Sequence, residues 1–202
     1  LAVLGLVYRS SRVSTDVMGR VPGEKAAWGS VTEHPERRTY DGILVLRLDN
    51  PLFWANATQV YDQVMLTLDE NPDTRVLLLD LEATSQLDTT SIDILEHLLV
   101  RVTERGVDLY LVRVFYRSRL TLRRAGFLDR LGPDRMWHSI SAGVRAARAA
   151  AAIVGKSHTQ FAIDSPAAAE ADDLDLVDEP GDEAVDERIV VDRNRRHKRP
   201  KS

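Results

Sequence analysis

The chain has 202 residues, of which 44% are hydrophobic, so it is long enough for one ordinary domain with extensions and too short for two full domains. Its formal net charge of -4 argues against a protein that binds nucleic acid over its whole surface. The absence of cysteine excludes a disulfide framework, a cysteine metal site and a cysteine nucleophile.

The chain opens on a mostly apolar stretch, Leu1 to Tyr8, which three arginines follow within the next dozen residues. This stretch is too short to cross a bilayer, which takes about 20 apolar residues in a helix. Two interpretations stay open. It is either a buried or amphipathic N-terminal segment, or the last turns of a transmembrane helix with the arginines on the cytoplasmic side. Residues 16–39 are rich in turn-forming types and are predicted to form a linker.

Two strands are predicted in the first half of the folded region. Residues 43–48 form an apolar run, and residues 52–54 follow an Asn-Pro turn as a second short strand. Phe53 and Trp54 are expected to pack in the core rather than to bind a ligand. A helix is expected to begin near Asn56, whose side chain suits a cap, and to end at the next Asn-Pro dipeptide.

The centre of the chain, Arg75 to Arg105, is predicted to form a buried strand, a short loop and an amphipathic helix. The apolar run Val76–Leu79 is typical of a strand that is covered on both faces. After the loop, apolar residues recur at helical spacing at Ile92, Leu95, Leu99 and Val102.

The next strand is predicted over residues 107–112, and an alanine-rich helix over residues 139–152. Between them lies a short helix that carries four arginines, Arg117, Arg119, Arg123 and Arg124. These arginines indicate either a solvated face or a patch that attracts anions or anionic lipid.

The last part of the chain carries its charges in two blocks. Residues 164–187 are dense in Asp and Glu, whereas residues 188–201 are rich in Arg and Lys. Both blocks are predicted to be disordered, because segments of one charge sign rarely offset the entropy of folding. The basic block is expected to lie loosely against the acidic block or to stay solvated; binding of acidic lipid or nucleic acid is the other interpretation.

The candidate site is the loop Asp88, Thr89, Thr90 and Ser91, which opens the central helix. Such side chains accept hydrogen bonds from first-turn amides, so a helix cap is the simplest interpretation. A helix N-terminus also attracts anions, which makes the loop a candidate binding site. Alternating strands and helices predict an α/β fold with parallel βαβ units, whose ligands bind outside the carboxyl ends of the strands. Asp80 and the loop are predicted to lie there, and Asn56 is a further candidate ligand contact.

No catalytic or cofactor motif is present. The five histidines share no metal-ligand spacing, and the chain lacks P-loop, dinucleotide and nucleophile-elbow motifs. The sequence therefore predicts no enzyme, no cofactor and no metal.

Several motifs occur in the order found in one known family. The Asp-Thr-Thr-Ser turn after an apolar strand resembles the central signature of the STAS domain, with Ser91 where the usual residue is Gly. The segment Met18-Gly-Arg-Val-Pro-Gly23, the His34-Pro-Glu element, the block from Gly42 to Ala57 and the Phe127-Leu-Asp-Arg-Leu-Gly turn resemble the C-terminal part of SulP anion permeases.

This resemblance implies a STAS fold, with a mixed sheet of four or five strands and helices mostly on one face. It implies the following domains: residues 1–15, remnant of the last membrane helix; 16–39, linker; 40–154, STAS domain; 155–202, disordered tail. It also implies a regulatory role at the cytoplasmic face of the membrane. The implied partners are the upstream membrane domain, a second copy, a nucleotide (GDP, GTP or ATP), a regulatory protein and anionic lipid.

A second hypothesis is a free-standing partner-switch protein. In the anti-sigma-factor antagonists that share the domain, the third residue of the turn is phosphorylated, and that position is Thr90 here. The permease-like linker argues against this hypothesis, because a soluble switch needs no such linker.

Overall fold

Six strands form one mixed sheet in the order β2-β1-β3-β4-β5-β6 in this computed structural model, which describes residues 14–158. They are β1 (Thr15–Arg20), β2 (Trp28–Ser30), β3 (Ile43–Leu48), β4 (Val76–Asp80), β5 (Asp108–Val112) and β6 (Met136–Trp137). The helices are α1 (Ala57–Glu70), α2 (Thr89–Glu104), α3 (Tyr116–Arg124), α4 (Phe127–Leu131) and α5 (Ile140–His158). Of residues 152–158 only the backbone is described. The predictions for the N-terminal apolar stretch and for most of the charged tail concern residues outside the described range.

The centre of the sheet is parallel. Strands β3, β4, β5 and β6 run in one direction, and α1 and α2 provide the crossovers between the first three of them. Every residue of β4 is buried, as its continuous apolar run predicts for a strand that is covered on both faces. Strands β3, β4 and β5 therefore end at the same edge of the sheet, which is called the carboxyl edge below.

Alternate residues of these strands face two separate hydrophobic clusters. Leu44, Leu46, Leu77 and Leu79 pack with α1 to α4, whereas Val45, Leu78 and Val112 pack with α5. Four of the five described helices thus lie on one face of the sheet. This arrangement confirms the expected fold class.

Four expectations are corrected. The sheet has six strands rather than four or five. Strands β1 and β2 cover residues 15–20 and 28–30, almost all of them within the segment 16–39 that was expected to be a linker. The apolar residues of β1 pack against the rest of the sheet, and Met18 is buried. Residues 52–54 form no strand, because the chain turns there. The Asn56 side chain stabilises the turn by accepting a hydrogen bond from the Phe53 amide and donating one to the Pro51 carbonyl oxygen. Trp54 does not pack in the core, since 68% of it is exposed.

None of the helices within residues 14–158 combines the length and the apolar character that a membrane span requires.

Candidate functional site

Three loops meet at the carboxyl edge, one after each of the strands β3, β4 and β5. Two hydrogen bonds through Thr84, which is fully buried, join the loops after β3 and β4 to each other and to the first turn of α3, which follows the loop after β5. Thr84 Oγ1 accepts from the Leu52 amide at 3.0 Å, and the Thr84 carbonyl oxygen accepts from Ser118 Oγ at 3.1 Å. The loops therefore form one connected surface on the side of the sheet where ligands of parallel sheets bind.

Asp88 caps α2 and also holds the neighbouring loop. Its Oδ1 accepts from the Ser91 amide at 2.8 Å and from Ser91 Oγ at 2.7 Å. Its Oδ2 accepts from the Trp54 amide at 2.8 Å. One carboxylate thus satisfies a first-turn amide of the helix and positions the loop before α1.

The electrostatics of Asp88 follow from these bonds. Burial raises the pKa of its carboxyl, but the hydrogen bonds from Ser91 and Trp54 stabilise the ionised form more strongly, so the net pKa lies below the ordinary value. Asp88 is therefore charged at neutral pH, and its carboxylate accepts hydrogen bonds from three donors of the protein.

The remaining residues of the turn divide into two kinds. Ser91 is fully buried, whereas Thr89 and Thr90 are exposed. The two threonine hydroxyls are therefore the groups of this turn that a partner can reach.

The other two candidate contacts are occupied within the protein. Asn56 is fully buried, and its side chain accepts from the Phe53 amide and donates to the Pro51 carbonyl oxygen, each at 2.9 Å. Asp80 is also fully buried and forms a two-pronged ion pair with Arg113, whose Nε lies 3.0 Å from Oδ1 and whose Nη2 contacts Oδ2. Both side chains therefore stabilise the loops from the protein interior and are not open to a ligand.

Arg113, Thr84 and Ser118 have structural roles at this edge that the sequence interpretation missed. One signal could have indicated the first of them. Asp80 is the last residue of β4 and is in register with Val112, the last residue of the adjacent parallel strand β5. Arg113 directly follows Val112. No sequence pattern marks Thr84 or Ser118.

Large apolar side chains are exposed at the same edge. Trp54, Phe115 and Tyr116 are 68%, 48% and 64% exposed. Together with Thr89 and Thr90 they form what we call the carboxyl-edge surface. Aromatic residues left open to solvent in this way are typical of sites that bind a partner.

No group of three or more His, Cys, Asp or Glu side chains that could hold a metal ion occurs in the part of the chain that the structure describes.

Replacing Asp88 with alanine should lower the free energy of unfolding by about 1–2 kcal/mol at pH 7, because the change removes the cap of α2. A lowered pKa stabilises the fold fully above the pKa of the unfolded chain, about 3.9, and this stabilisation is lost as the pH falls through the folded pKa. The difference in the free energy of unfolding between the parent protein and the Asp88→Ala variant should therefore narrow below about pH 4. Urea unfolding at neutral and acid pH measures it, with the exposed Asp62→Ala as the control. An equal difference at both pH values would contradict the assigned role of the charge.

Residues 34–143 match the sequence model of a protein family, the STAS domain. The chain is 30% identical over 149 residues to a protein named Probable sulfate transporter from Mycobacterium tuberculosis, and the match covers 73% of this chain and 26% of that protein. It is 25% identical over 139 residues to Probable sulfate transporter 4.2 of Arabidopsis thaliana, covering 64% of this chain and 20% of that protein.

Among solved structures, the murine anion transporter solute carrier 26 family member A9 has a similar fold. The TM-score is 0.66 at 17% identity, and the match covers 73% of this chain and 24% of that chain. The chain spans only 26% of the length of the mycobacterial transporter and 20% of the length of the Arabidopsis transporter. The family model covers more than half of the chain and includes β3 to β6 with the carboxyl edge. The chain belongs to the STAS domain family, with relatives in the SulP sulfate transporters.

Proposed function

We propose that this chain is the regulatory STAS domain of a SulP-type sulfate or related anion transporter and that it acts at the cytoplasmic face of the membrane. The observation that carries the proposal is the match to the mycobacterial sulfate transporter, which covers most of this chain but about a quarter of that protein. The chain regulates transport by binding and does not itself move an anion.

The carboxyl-edge surface is the part of the domain that we assign to docking. Its exposed aromatic side chains provide apolar area. Two buried hydrogen bonds of Thr84 and an exposed one from the Trp54 amide to Asp88 hold the loops beneath them. A surface that is already ordered loses little entropy on binding. The partner is the transporter's membrane domain, and a regulatory protein that binds the same surface competes with it.

Anion uptake by cells that express the complete reading frame containing this chain tests the proposal. Trp54→Ala with Tyr116→Ala should lower uptake several-fold without lowering the amount of protein in the membrane, because each aromatic anchor contributes about 1–2 kcal/mol at a docked interface. Leu66→Ala and Val100→Ala are the matched controls, since these residues are also exposed and apolar but lie on α1 and α2 away from the carboxyl edge.

Two results would contradict the proposal. One is a complete reading frame without hydrophobic spans upstream of Leu1, which would favour the free-standing partner switch with Thr90 as its phosphorylated residue. The other is uptake that the double variant leaves unchanged. Docking and self-association are separated by measuring the mass of the purified chain in solution for the parent and the double variant.

Nucleotide binding is the alternative use of the same surface. The exposed Thr89 and Thr90 hydroxyls at the start of α2 suit a phosphate group, and Trp54 lies beside them, where it can stack on a base. In that case GTP, GDP or ATP shifts the amide NMR signals of residues 87–93, and Trp54→Ala weakens the binding. Unshifted signals together with reduced uptake by the double variant would leave protein docking as the function.

A further inference from the structure

Helix α3 begins at the carboxyl edge and is anchored to the domain along one side. Ser118 and Leu122 are fully buried, and Ser118 Oγ donates to the Thr84 carbonyl oxygen at 3.1 Å. The two anchors are four residues apart and therefore lie on the same side of the helix. The helix is thus held in one orientation, and its opposite side is presented to solvent.

Arginine dominates the side of α3 that faces away from these anchors. Arg117 and Arg124 are exposed and lie along one line of the helix, two turns or about 10 Å apart. Leu120 lies beside them and is partly buried, and Tyr116, which is 64% exposed, borders them at the first residue of the helix. These four residues are called the α3 outer face below.

The charge of this face is not neutralised within the described chain. Helix α3 contains no acidic residue. Neither Arg117 nor Arg124 forms an ion pair within residues 14–151, whose side chains the structure describes. Six other arginines of that range do pair with carboxylates: Arg47, Arg101, Arg105, Arg113, Arg130 and Arg135. The α3 outer face therefore attracts anions.

Helix stability does not account for Arg117. A cation is favourable in the last turn of a helix, where Arg124 lies, but unfavourable in the first turn, where Arg117 lies. The first turn holds no acidic residue that would offset this cost, and the side chain of Phe115 at the N-cap makes no capping hydrogen bond. An anion bound at the face would remove the cost.

The composition of the face suits the headgroup layer of a membrane. Guanidinium groups donate paired hydrogen bonds to phosphate groups, and basic side chains are attracted to anionic lipids. Leu120 offers apolar contact between the charges. Tyr116 combines an apolar ring with a hydroxyl, and tyrosine is enriched where lipid meets water. A nucleic acid would use the arginines alone.

We propose that the α3 outer face binds the headgroups of anionic lipids in the membrane. The proposal rests on the proposed function for its place in the cell, because a carboxyl-edge surface that docks on the membrane domain brings the adjacent outer face of α3 to the surrounding headgroups. The contact adds to docking by holding the domain against the bilayer. Because the attraction is between charges at a surface, it weakens as salt is added.

Binding of the purified full chain to lipid vesicles tests the proposal. The chain should sediment with vesicles of phosphatidylcholine and phosphatidylserine and not with vesicles of phosphatidylcholine alone. About 0.5 M salt should release it, since charges are then screened beyond a few ångströms. Arg117→Ser with Arg124→Ser should weaken the binding about tenfold or more, because each arginine near an anionic surface adds to the affinity.

Arg101→Ser with Arg105→Ser is the matched control. This pair removes the same charge from exposed positions, but both arginines already pair with carboxylates, those of Glu104 and Asp69. It should leave vesicle binding nearly unchanged. If the α3 pair fails to fold, NMR of the parent chain with soluble short-chain phosphatidylserine gives the same test, because the amide signals of residues 116–124 should shift.

Three outcomes would overturn the proposal. The first is no binding, or equal binding to the two kinds of vesicle. The second is binding to anionic vesicles that the α3 pair leaves unchanged, which would assign the contact to another segment such as residues 188–201. The third is duplex DNA that binds more tightly than the vesicles and is lost in the α3 pair, which would make the face a nucleic-acid site.

Failure of this proposal and failure of the proposed function are distinguishable. Vesicle binding uses only the purified chain and leaves Trp54 and Tyr116 unchanged, whereas the uptake measurement depends on those two aromatic residues. A chain that ignores anionic vesicles while the aromatic double variant lowers uptake would keep the docking function and remove only the lipid contact.

Discussion

Replacing Arg113 with alanine should lower the free energy of unfolding by about 3–5 kcal/mol, because the change leaves a buried carboxylate without its cation. The Asp80 side chain has no exposed area, whereas 27% of Arg113 is exposed. Besides Arg113, the carboxylate of Asp80 accepts from the Glu82 amide at 3.1 Å. One amide cannot replace the bidentate guanidinium, so the ionised Asp80 loses most of its compensation.

Urea unfolding of the full chain measures this effect, and the chain offers a matched control. Arg101 pairs with Glu104 at 2.6 Å, but both side chains are more than half exposed. Arg101→Ala should therefore cost no more than about 0.5 kcal/mol. Similar losses for the two variants would mean that water reaches Asp80 as easily as it reaches the surface pair.

The backbone of Arg113 provides a second comparison. Its φ angle is 54°, in the left-handed region that glycine adopts without strain. Arg113→Gly should therefore be less destabilising than Arg113→Ala, by about 1 kcal/mol.

Replacing Gly143 with valine should lower the free energy of unfolding by about 3 kcal/mol, because α5 approaches the sheet too closely there for any side chain. A Cβ atom at this position would lie 2.8 Å from Leu78 Cδ2 and 2.8 Å from Val112 Cγ1. Both methyl groups belong to buried residues of the second core cluster, which also holds Val144 and Ala147 of α5. Relief of the clash must therefore displace these packed methyl groups or the helix itself.

Thermal and urea unfolding of the full chain measure the effect of this change. Ala149→Val is the matched control, because Ala149 is exposed on the same helix and its replacement costs less than about 0.7 kcal/mol through helix propensity. Gly143→Ala separates the two contributions, since the gain of about 1 kcal/mol in propensity opposes the clash. A Gly143→Ala variant more stable than the parent would show that the helix can shift at little cost.

The central strand, the central helix and its cap could be predicted from the sequence with good accuracy. The apolar run at residues 76–79 and the helical spacing of Ile92, Leu95 and Leu99 are local patterns, and each has one physical explanation. The Asp88 cap is also local, because its amide partner is three residues away. The further bond from Asp88 to Trp54 spans 34 residues and left no local signal.

The errors have a common cause. Trp54 was expected to be buried because aromatic residues usually are, but its exposure depends on how the Asn56 side chain folds the loop. Residues 16–39 were interpreted as a linker because they are rich in turn-forming types, yet β1 pairs with β3 in register from Thr15 to Val17. Turn residues within a short hairpin and turn residues within a linker look alike in a sequence.

The sequence by itself determined the α/β class, the order of most elements and the position of the polar turn that opens α2. These features depend on periodicity and on capping, which act over a few residues. Only the tertiary structure decided that Asp80 is neutralised by Arg113, that Gly143 is required by a close approach, and that Arg148 lies over the Tyr40 ring. The physical reason is that each of these arrangements joins residues 31 or more positions apart in the chain, which only the packing of the sheet and its helices brings together.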